Sequence, residues 1–205
     1  MKIIRLRGIL DSNTYVILNG NEAICIDAGV SYKDCKETLG NSVRIVAVLL
    51  THGHFDHCFY AKNFQENGAK IYIHQSDSEM LNSASKNLSA HFDYESEFSP
   101  LNADYYVQDG ENLNIAGLKI RVLHVPGHSG GSVAYIIDNA MFCGDTLFFN
   151  SYGRTDLGSN TSYTMLKQSI IEKIFTLDVN YTIYSGHGQS TMLKYEKENN
   201  PINNE

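Results

Sequence analysis

The chain is 205 residues long, 42% hydrophobic and 19% charged, with a formal net charge of −7; at that length one domain over residues 1–205 buries roughly 70% of its unfolded surface without covalent staples. The acidic balance and the lack of any Lys/Arg cluster exclude a phosphate-binding surface, so no nucleic-acid partner is expected. No apolar run nears the ~18 residues of a membrane span, and the start from Met1 to Leu10, interrupted by Lys2, Arg5 and Arg7, carries no signal-peptide core, so a cytoplasmic protein without a membrane partner is the expectation.

Short strands come first, over Lys2–Gly8, Asn13–Leu18 and Ala23–Ile26, separated by turn formers such as Asn19-Gly20-Asn21. Tyr32–Leu39 reads as a helix, and Arg44–Leu50, rich in Val, Ile and Leu, as a strand buried on both faces. One helix is expected over His57–Asn67, stopped by Gly68, then a strand over Lys70–Ile73 and a short helix over Ser76–Leu81. From Asn82 to Asn102 the periodicity lapses, which predicts an extended loop over the active site, anchored by Leu88, Phe92, Tyr94 and Phe98. Strands resume over Leu113–Ile115, Leu118–His124, Ser132–Ile137 and Ala140–Cys143. A helix over Ser162–Phe175, capped by Thr161 or Asn160, a strand over Tyr181–Tyr184 and a helix over Thr191–Glu198, ended before Pro201, complete the pattern. Cys25, Cys35, Cys58 and Cys143 show neither CxxC nor framework spacing; Cys25 and Cys143 read as buried thiols, and Cys58, directly after His57, at most as a neighbour of the metal ligands.

The densest chemistry is Thr51-His52-Gly53-His54-Phe55-Asp56-His57, directly after the apolar run Val43 to Leu50. His52, His54, Asp56 and His57 diverge too much in direction to serve one ion from a single short loop, so their spacing suggests two adjacent ions completed from elsewhere. Three later loops supply partners: Pro126-Gly127-His128-Ser129-Gly130-Gly131-Ser132, Gly144-Asp145-Thr146 and Ser185-Gly186-His187-Gly188. A histidine bracketed by glycines after a strand is poorly explained by packing; it suits a ligand on a tight turn. The resulting donors, His52, His54, Asp56, His57, His128, Asp145 and His187, give each ion three terminal ligands and one shared carboxylate.

This set of motifs resembles the metallo-β-lactamase superfamily. Gly144-Asp145-Thr146-Leu147-Phe148, Gly153-Arg154-Thr155-Asp156, Gly186-His187-Gly188, Asn87-Leu88-Ser89 and the tail Glu196-Lys197 with Asn200-Pro201 are similar to the glyoxalase II-like hydroxyacylglutathione hydrolases and their short bacterial relatives. The resemblance runs from Asp27-Ala28-Gly29 to Pro201. It implies an α/β fold, the four-layer αββα metallo-β-lactamase sandwich, with two divalent metal ions, zinc ahead of iron or manganese. By the same resemblance His52, His54 and His128 hold metal one, Asp56, His57 and His187 hold metal two, and Asp145 bridges them. Family members often follow the last histidine of the first loop with an apolar residue and Gly-Gly; Cys58-Phe59-Tyr60 stands here instead and bears on pocket size. The longer glyoxalase II enzymes also carry a C-terminal helical region that helps hold glutathione, and no counterpart follows Pro201.

The expected reaction is hydrolysis of a small-molecule acyl substrate, foremost a thioester such as an S-acylglutathione, with Asp56 as the catalytic carboxylate that orients a metal-activated hydroxide. A thiolate departs without much protonation, and no general acid stands out beyond the ligands. Alternatives are a mononuclear-iron persulfide dioxygenase of the same fold, a lactonase or other ester hydrolase, a β-lactamase, and a non-enzymatic binding module. Asp27 is expected to hydrogen-bond the metal loop rather than bind metal. Arg154 and Lys194 are candidates for attracting an anionic substrate, although Arg154 has Asp156 as a ready partner. His74, His91 and His124 read as packing or surface residues, and the sequence sets no oligomeric state.

Overall fold

The computed structural model describes residues 1–158 and 161–204. Successive residues of the early strands divide between two cores: Tyr15, Ile17, Ile24 and Ile26 pack in one, while Val16, Ala23 and Cys25 pack in another. That division is the period-two signature of a sheet buried on both faces. The strands are β1 (Lys2–Arg7), β2 (Asn13–Asn19), β3 (Glu22–Ile26), β4 (Arg44–Leu49), β5 (Lys70–His74) and β6 (Tyr105–Val107), hydrogen-bonded in that order. β1, β2 and β3 pair antiparallel, and β3 through β6 pair parallel.

A second sheet of six contains β7 (Asn112–Ile115), β8 (Leu118–His124), β9 (Val133–Ile137), β10 (Ala140–Gly144), β13 (Thr182–Ser185) and β14 (Thr191–Met192), in the order β14-β13-β10-β9-β8-β7. Between β10 and β13 lies a small hairpin, β11 (Leu147–Phe148) with β12 (Ser151–Tyr152). Tyr15, Ile17, Ile24, Ile26 and Leu49 of the first sheet meet Ile120, Val122, Val133, Tyr135 and Phe142 of the second. Helices α1 (Tyr32–Leu39), α2 (Phe55–Cys58) and α3 (Ala61–Glu66) follow strands of the first sheet, and Cys35, Phe55 and Phe64 from them join the core on its outer face. Leu166 of α4 (Tyr163–Gln168) and Leu193 of α5 (Leu193–Asn199) join the core on the outer face of the second. The result is the expected αββα sandwich, because each sheet has two apolar faces to cover. Among the described residues, no helix is long and apolar enough to cross a membrane.

Several expectations are corrected. The helix over His57–Asn67 is two helices, broken at Tyr60 (φ −95°, ψ 7°). Backbone bonds cause the break: the His57 carbonyl accepts from Ala28 N–H at 2.6 Å, and Tyr60 N–H donates to the Ala28 carbonyl at 3.0 Å. The short helix expected over Ser76–Leu81 is a 3₁₀ helix over Gln75–Asn82, and the segment from Asn82 to Asn102 is turned rather than extended, with a 3₁₀ turn at Ser89–Phe92. Its Asn87 carbonyl receives Phe55 N–H at 2.9 Å, so it satisfies an otherwise free donor at the start of α2. The helix expected over Ser162–Phe175 is α4 followed by a π turn, Ser169–Ile174, and its cap is Ser162, whose Oγ accepts from Met165 N–H at 3.3 Å. Asn160 lies outside the described residues. The last helix starts at Leu193, because Thr191 and Met192 pair with β13.

Candidate metal centre

The end of β3 sets the first loop. Asp27, at φ +62°, turns its buried carboxylate toward the end of β4, where Oδ1 accepts Thr51 N–H at 2.7 Å and Oδ2 accepts Thr51 Oγ1–H at 2.9 Å. With its hydroxyl hydrogen committed to Asp27, Thr51 Oγ1 accepts from His52 Nδ1–H at 3.0 Å, which leaves His52 Nε2 as a lone pair. Asp27 Oδ2 also accepts His57 Nδ1–H at 2.8 Å, so His57 presents Nε2 to the same space. One carboxylate thus orients two imidazoles, as expected of Asp27.

The other loops come from the second sheet and end at the same edge. After β8, His128 Nδ1–H donates to the Arg154 carbonyl at 2.8 Å, and its Nε2 stands 2.9 Å from His54 Nδ1. After β10, Asp145 places Oδ1 3.5 Å from His57 Nε2, and Oδ2 3.7 Å from His128 Nε2 and 3.5 Å from His187 Nε2. After β13, His187 Nε2 lies 3.1 Å from Asp56 Oδ2. The glycine before it is required, since a Cβ at Gly186 would sit 2.0 Å from Asp145 Oδ1. Asn13 Nδ2–H holds this last loop through the Ser185 and Gly188 carbonyls at 2.9 and 3.1 Å.

Three donor groups result: His52 with His54 and His128, Asp56 with His57 and His187, and His52 with His57 and Asp145. The ligating atoms within each lie within 4.8 Å of one another. Asp145 reaches toward both halves. His52 Nε2 and Asp145 Oδ1 are buried without a hydrogen-bond partner, an arrangement costly for polar atoms unless a cation meets them. The residues therefore fit a pair of divalent cations held by nitrogen and oxygen donors, a set that suits zinc, iron and manganese alike.

The electrostatics agree. Burial, reinforced by His57, holds His52 well below the usual imidazole range; burial with His128 brings His54 down to about 3. For His57 burial acts downward too, but the carboxylates of Asp56, Asp145 and Asp27 outweigh it and lift the group to about 10. Burial would raise Asp56, yet His57 and His187 bring it down to about 2. The charged site thus offers carboxylates and free imidazole lone pairs at neutral pH, with a proton on His57 that a cation must displace.

Of the remaining expectations, Arg154 lines the cavity over the centre. Its guanidinium pairs with Asp156 through two bonds of 2.8 Å, while its carbonyl orients His128. Lys194 is exposed on α5, where its N–H donates to Asn180 Oδ1, and it lines neither cavity beside the centre. Cys58 is buried, with Sγ–H directed to the Gly53 carbonyl at 3.5 Å. His74 and His124 stack on each other at 4.0 Å between centroids. Sequence reasoning missed Asp77. Its buried carboxylate accepts Gly53 N–H at 3.0 Å, Ser129 Oγ–H at 2.7 Å and Gly131 N–H at 2.7 Å, and so ties together the loops that carry His52, His54 and His128.

A two-sheet sandwich with histidines and aspartates clustered on the loops at one edge defines a protein of the αββα class with a candidate metal site. Residues 7–187 match the family model described as the metallo-beta-lactamase superfamily, and the chain belongs to that superfamily. It is 33% identical to the probable metallo-hydrolase YqgX of Bacillus subtilis, covering 96% of this chain and 94% of that protein. It is 31% identical to the hydroxyacylglutathione hydrolase GloC of Haemophilus influenzae, covering 79% of this chain and 77% of the relative. Among solved structures, the BLEG-1 B3 metallo-beta-lactamase superposes with a TM-score of 0.91 at 31% identity, covering 98% of this chain and 99% of that one.

Proposed function

We propose that the chain is a dinuclear metal-dependent hydrolase, foremost a thioesterase of the glyoxalase II type acting on S-acylglutathione or a similar thioester. The observation that carries the reading is the pair of donor groups flanking Asp145, both open to a cavity lined by Asp56, His128, Asp145 and His187. The names of two relatives, a probable metallo-hydrolase and a hydroxyacylglutathione hydrolase, support it.

Residues His52, His54 and His128 would hold one cation and Asp56, His57 and His187 the other, with Asp145 between them. When bound, two divalent ions supply a water of near-neutral pKa and polarise an acyl carbonyl. Asp56 borders the cavity, and its carboxylate, kept ionised by His57 and His187, accepts a hydrogen bond from the attacking water and so aims it. Asp27 keeps His52 and His57 from rotating during the attack. Apart from the proposed ligands, the only ionisable side chain lining this cavity among the described residues is Arg154, which remains protonated. A thiolate of pKa about 8.5 leaves without drawing a proton from this wall, where an amine does not, although Lys86 and His91 line the adjoining cavity.

The test is hydrolysis of S-D-lactoylglutathione and other acyl thioesters by metal-loaded protein, with Asp56→Asn as control. Turnover that falls about a hundredfold or more in the variant is expected. One iron per chain with oxygen uptake on glutathione persulfide would instead establish a dioxygenase. A second reading, β-lactam hydrolysis, is favoured by the likeness to BLEG-1. Nitrocefin turnover in the absence of thioester turnover would establish that reading in place of the first.

A further inference from the structure

Two large apolar side chains stand in solvent at the mouth of the metal centre: Leu10 is 47% exposed and Phe92 45% exposed. Leu10 is held there at φ +50°, a left-handed conformation that a leucine rarely adopts. Strain of that kind at a mouth is a pointer to function. Phe92 lies against Phe55, with ring centroids 5.5 Å apart, and Phe148 approaches the His187 ring at 6.4 Å. Together with Leu88 and Leu157 these residues form the apolar wall of one cavity of about 380 Å³, and the same cavity is bordered by Asp56, Asp145 and His187. Its volume lies in the ~300–1,000 Å³ range of small-molecule sites. An apolar wall continuous with the reacting groups marks the place where part of a substrate lies, whereas a protein-docking patch has no need to reach the donors.

A second cavity, of about 340 Å³, meets the first at His54, Leu88 and Leu157 and is mixed in character, with Ser76, Ser85, Lys86 and His91 in its wall beside Met80 and those two leucines. Two unlike cavities joined at the metal centre suit a two-part substrate, one part apolar and the other more polar.

We infer that the apolar cavity is an acyl-chain subsite, and that the enzyme selects thioesters whose acyl group is an unsubstituted hydrocarbon chain of medium length over short hydroxylated acyl groups. The second cavity takes the thiol carrier. This inference rests on the thioesterase reading and adds the substrate class to it. In the reaction, a water oxygen bonds to the acyl carbon, the carbon–sulfur bond breaks with its electron pair leaving on sulfur, and both water protons pass to solvent. The products are the fatty carboxylate and the thiolate, which takes a proton back from solvent according to its own pKa. Leu10, Phe55, Phe92 and Phe148 contribute only through chain contact, and a 2-hydroxyl would lose its hydration against them.

The experiment uses metal-replete protein and the acetyl, butanoyl, hexanoyl and octanoyl thioesters of N-acetylcysteamine, together with calorimetric binding of the matching carboxylates. The expected result is a rise in kcat/KM of about fourfold per methylene until the cavity is full, carried by KM, with the same trend in carboxylate affinity. Leu10→Ala and Phe92→Ala, both at exposed positions, should flatten both slopes and keep the wild-type melting temperature. Thioester hydrolysis with no dependence on chain length, or with the S-D-lactoyl thioester preferred, overturns the inference and leaves the thioesterase standing. Carboxylate affinity that climbs with chain length, with no thioester hydrolysed, overturns the thioesterase and retains the subsite.

Discussion

Two buried aspartates do for the ligand loops what no ligand does for itself. Asp27 orients His52 and His57 through Thr51 and directly, while Asp77 joins the loops on either side of His54 and His128. Removing the Asp77 carboxylate leaves Gly53 N–H, Gly131 N–H and Ser129 Oγ without it, so Asp77→Ala is expected to cost about 3 kcal/mol in urea unfolding. It should also weaken the more sensitive metal by about ten- to a hundredfold in a zinc titration. Unchanged zinc affinity in a folded variant would reduce Asp77 to a structural residue. Asp27 was legible because it ends a strand directly before Ala28-Gly29, where the resemblance begins, although it lies 24 residues from Thr51. Asp77 was not, since its turn has no distinctive pattern and nothing local links it to Gly53, 24 residues away, or to Gly131, 54 away. Only folding brings them together.

At the level of elements, α5 and the β11–β12 hairpin form a unit. The buried Glu196 accepts from Asn150 N–H at 3.1 Å, from Thr191 Oγ1–H at 2.6 Å and from Asn200 Nδ2–H at 2.7 Å, and Asn200 Nδ2 also donates to the Ser151 carbonyl. Glu196→Ala should therefore lower stability by about 3 kcal/mol and the melting temperature by several degrees. Because the hairpin carries Phe148, chain-length selectivity should weaken as well. A second junction is the stack of His74, at the end of β5, on His124, at the end of β8. Burial and the neighbouring His124 bring His74 down from 6.5 to about 4, against an upward pull from Asp109, which in turn is paired with Lys173. Between those values the unfolded chain binds more protons than the folded one, so this group makes stability fall as pH drops from 6.5 toward 4 and is neutral above 6.5. His74→Phe keeps a ring on His124 and should flatten that part of the stability–pH curve. An unchanged curve would show that other groups set the slope. The strands were readable from their period-two and apolar runs, whereas the break at Tyr60 was not, because the His57 carbonyl is taken by Ala28 from another part of the chain.

At the scale of the molecule, each donor group draws on both sheets. His52 and His54 follow β4 of the first sheet and His128 follows β8 of the second; Asp56 and His57 belong with the first and His187 with the second. Bound cations therefore clamp the two sheets at one edge. Chelation of the metals should lower the melting temperature, and re-addition of zinc at a hundred times its dissociation constant should restore about 2.7 kcal/mol for each site filled. A melting curve indifferent to chelator, with metal removal confirmed, would show that the sheets dock through their apolar faces alone. The donors themselves were determined by the sequence: histidines between glycines after apolar runs have few packing explanations, and local pattern suffices to recognise them. A strand buried on both faces was legible in the continuous apolar run Arg44–Leu50, while the four-layer sandwich was implied by the resemblance. Only the tertiary structure decided which loops share a carboxylate such as Asp77, and where the long helices break. The apolar wall facing the metal centre was decided there too, since Leu10, Phe55, Phe92 and Phe148 come from separate segments. These depend on close approach between residues far apart in the chain, and such distances are set by the packing of the whole sandwich rather than by any local run of residues.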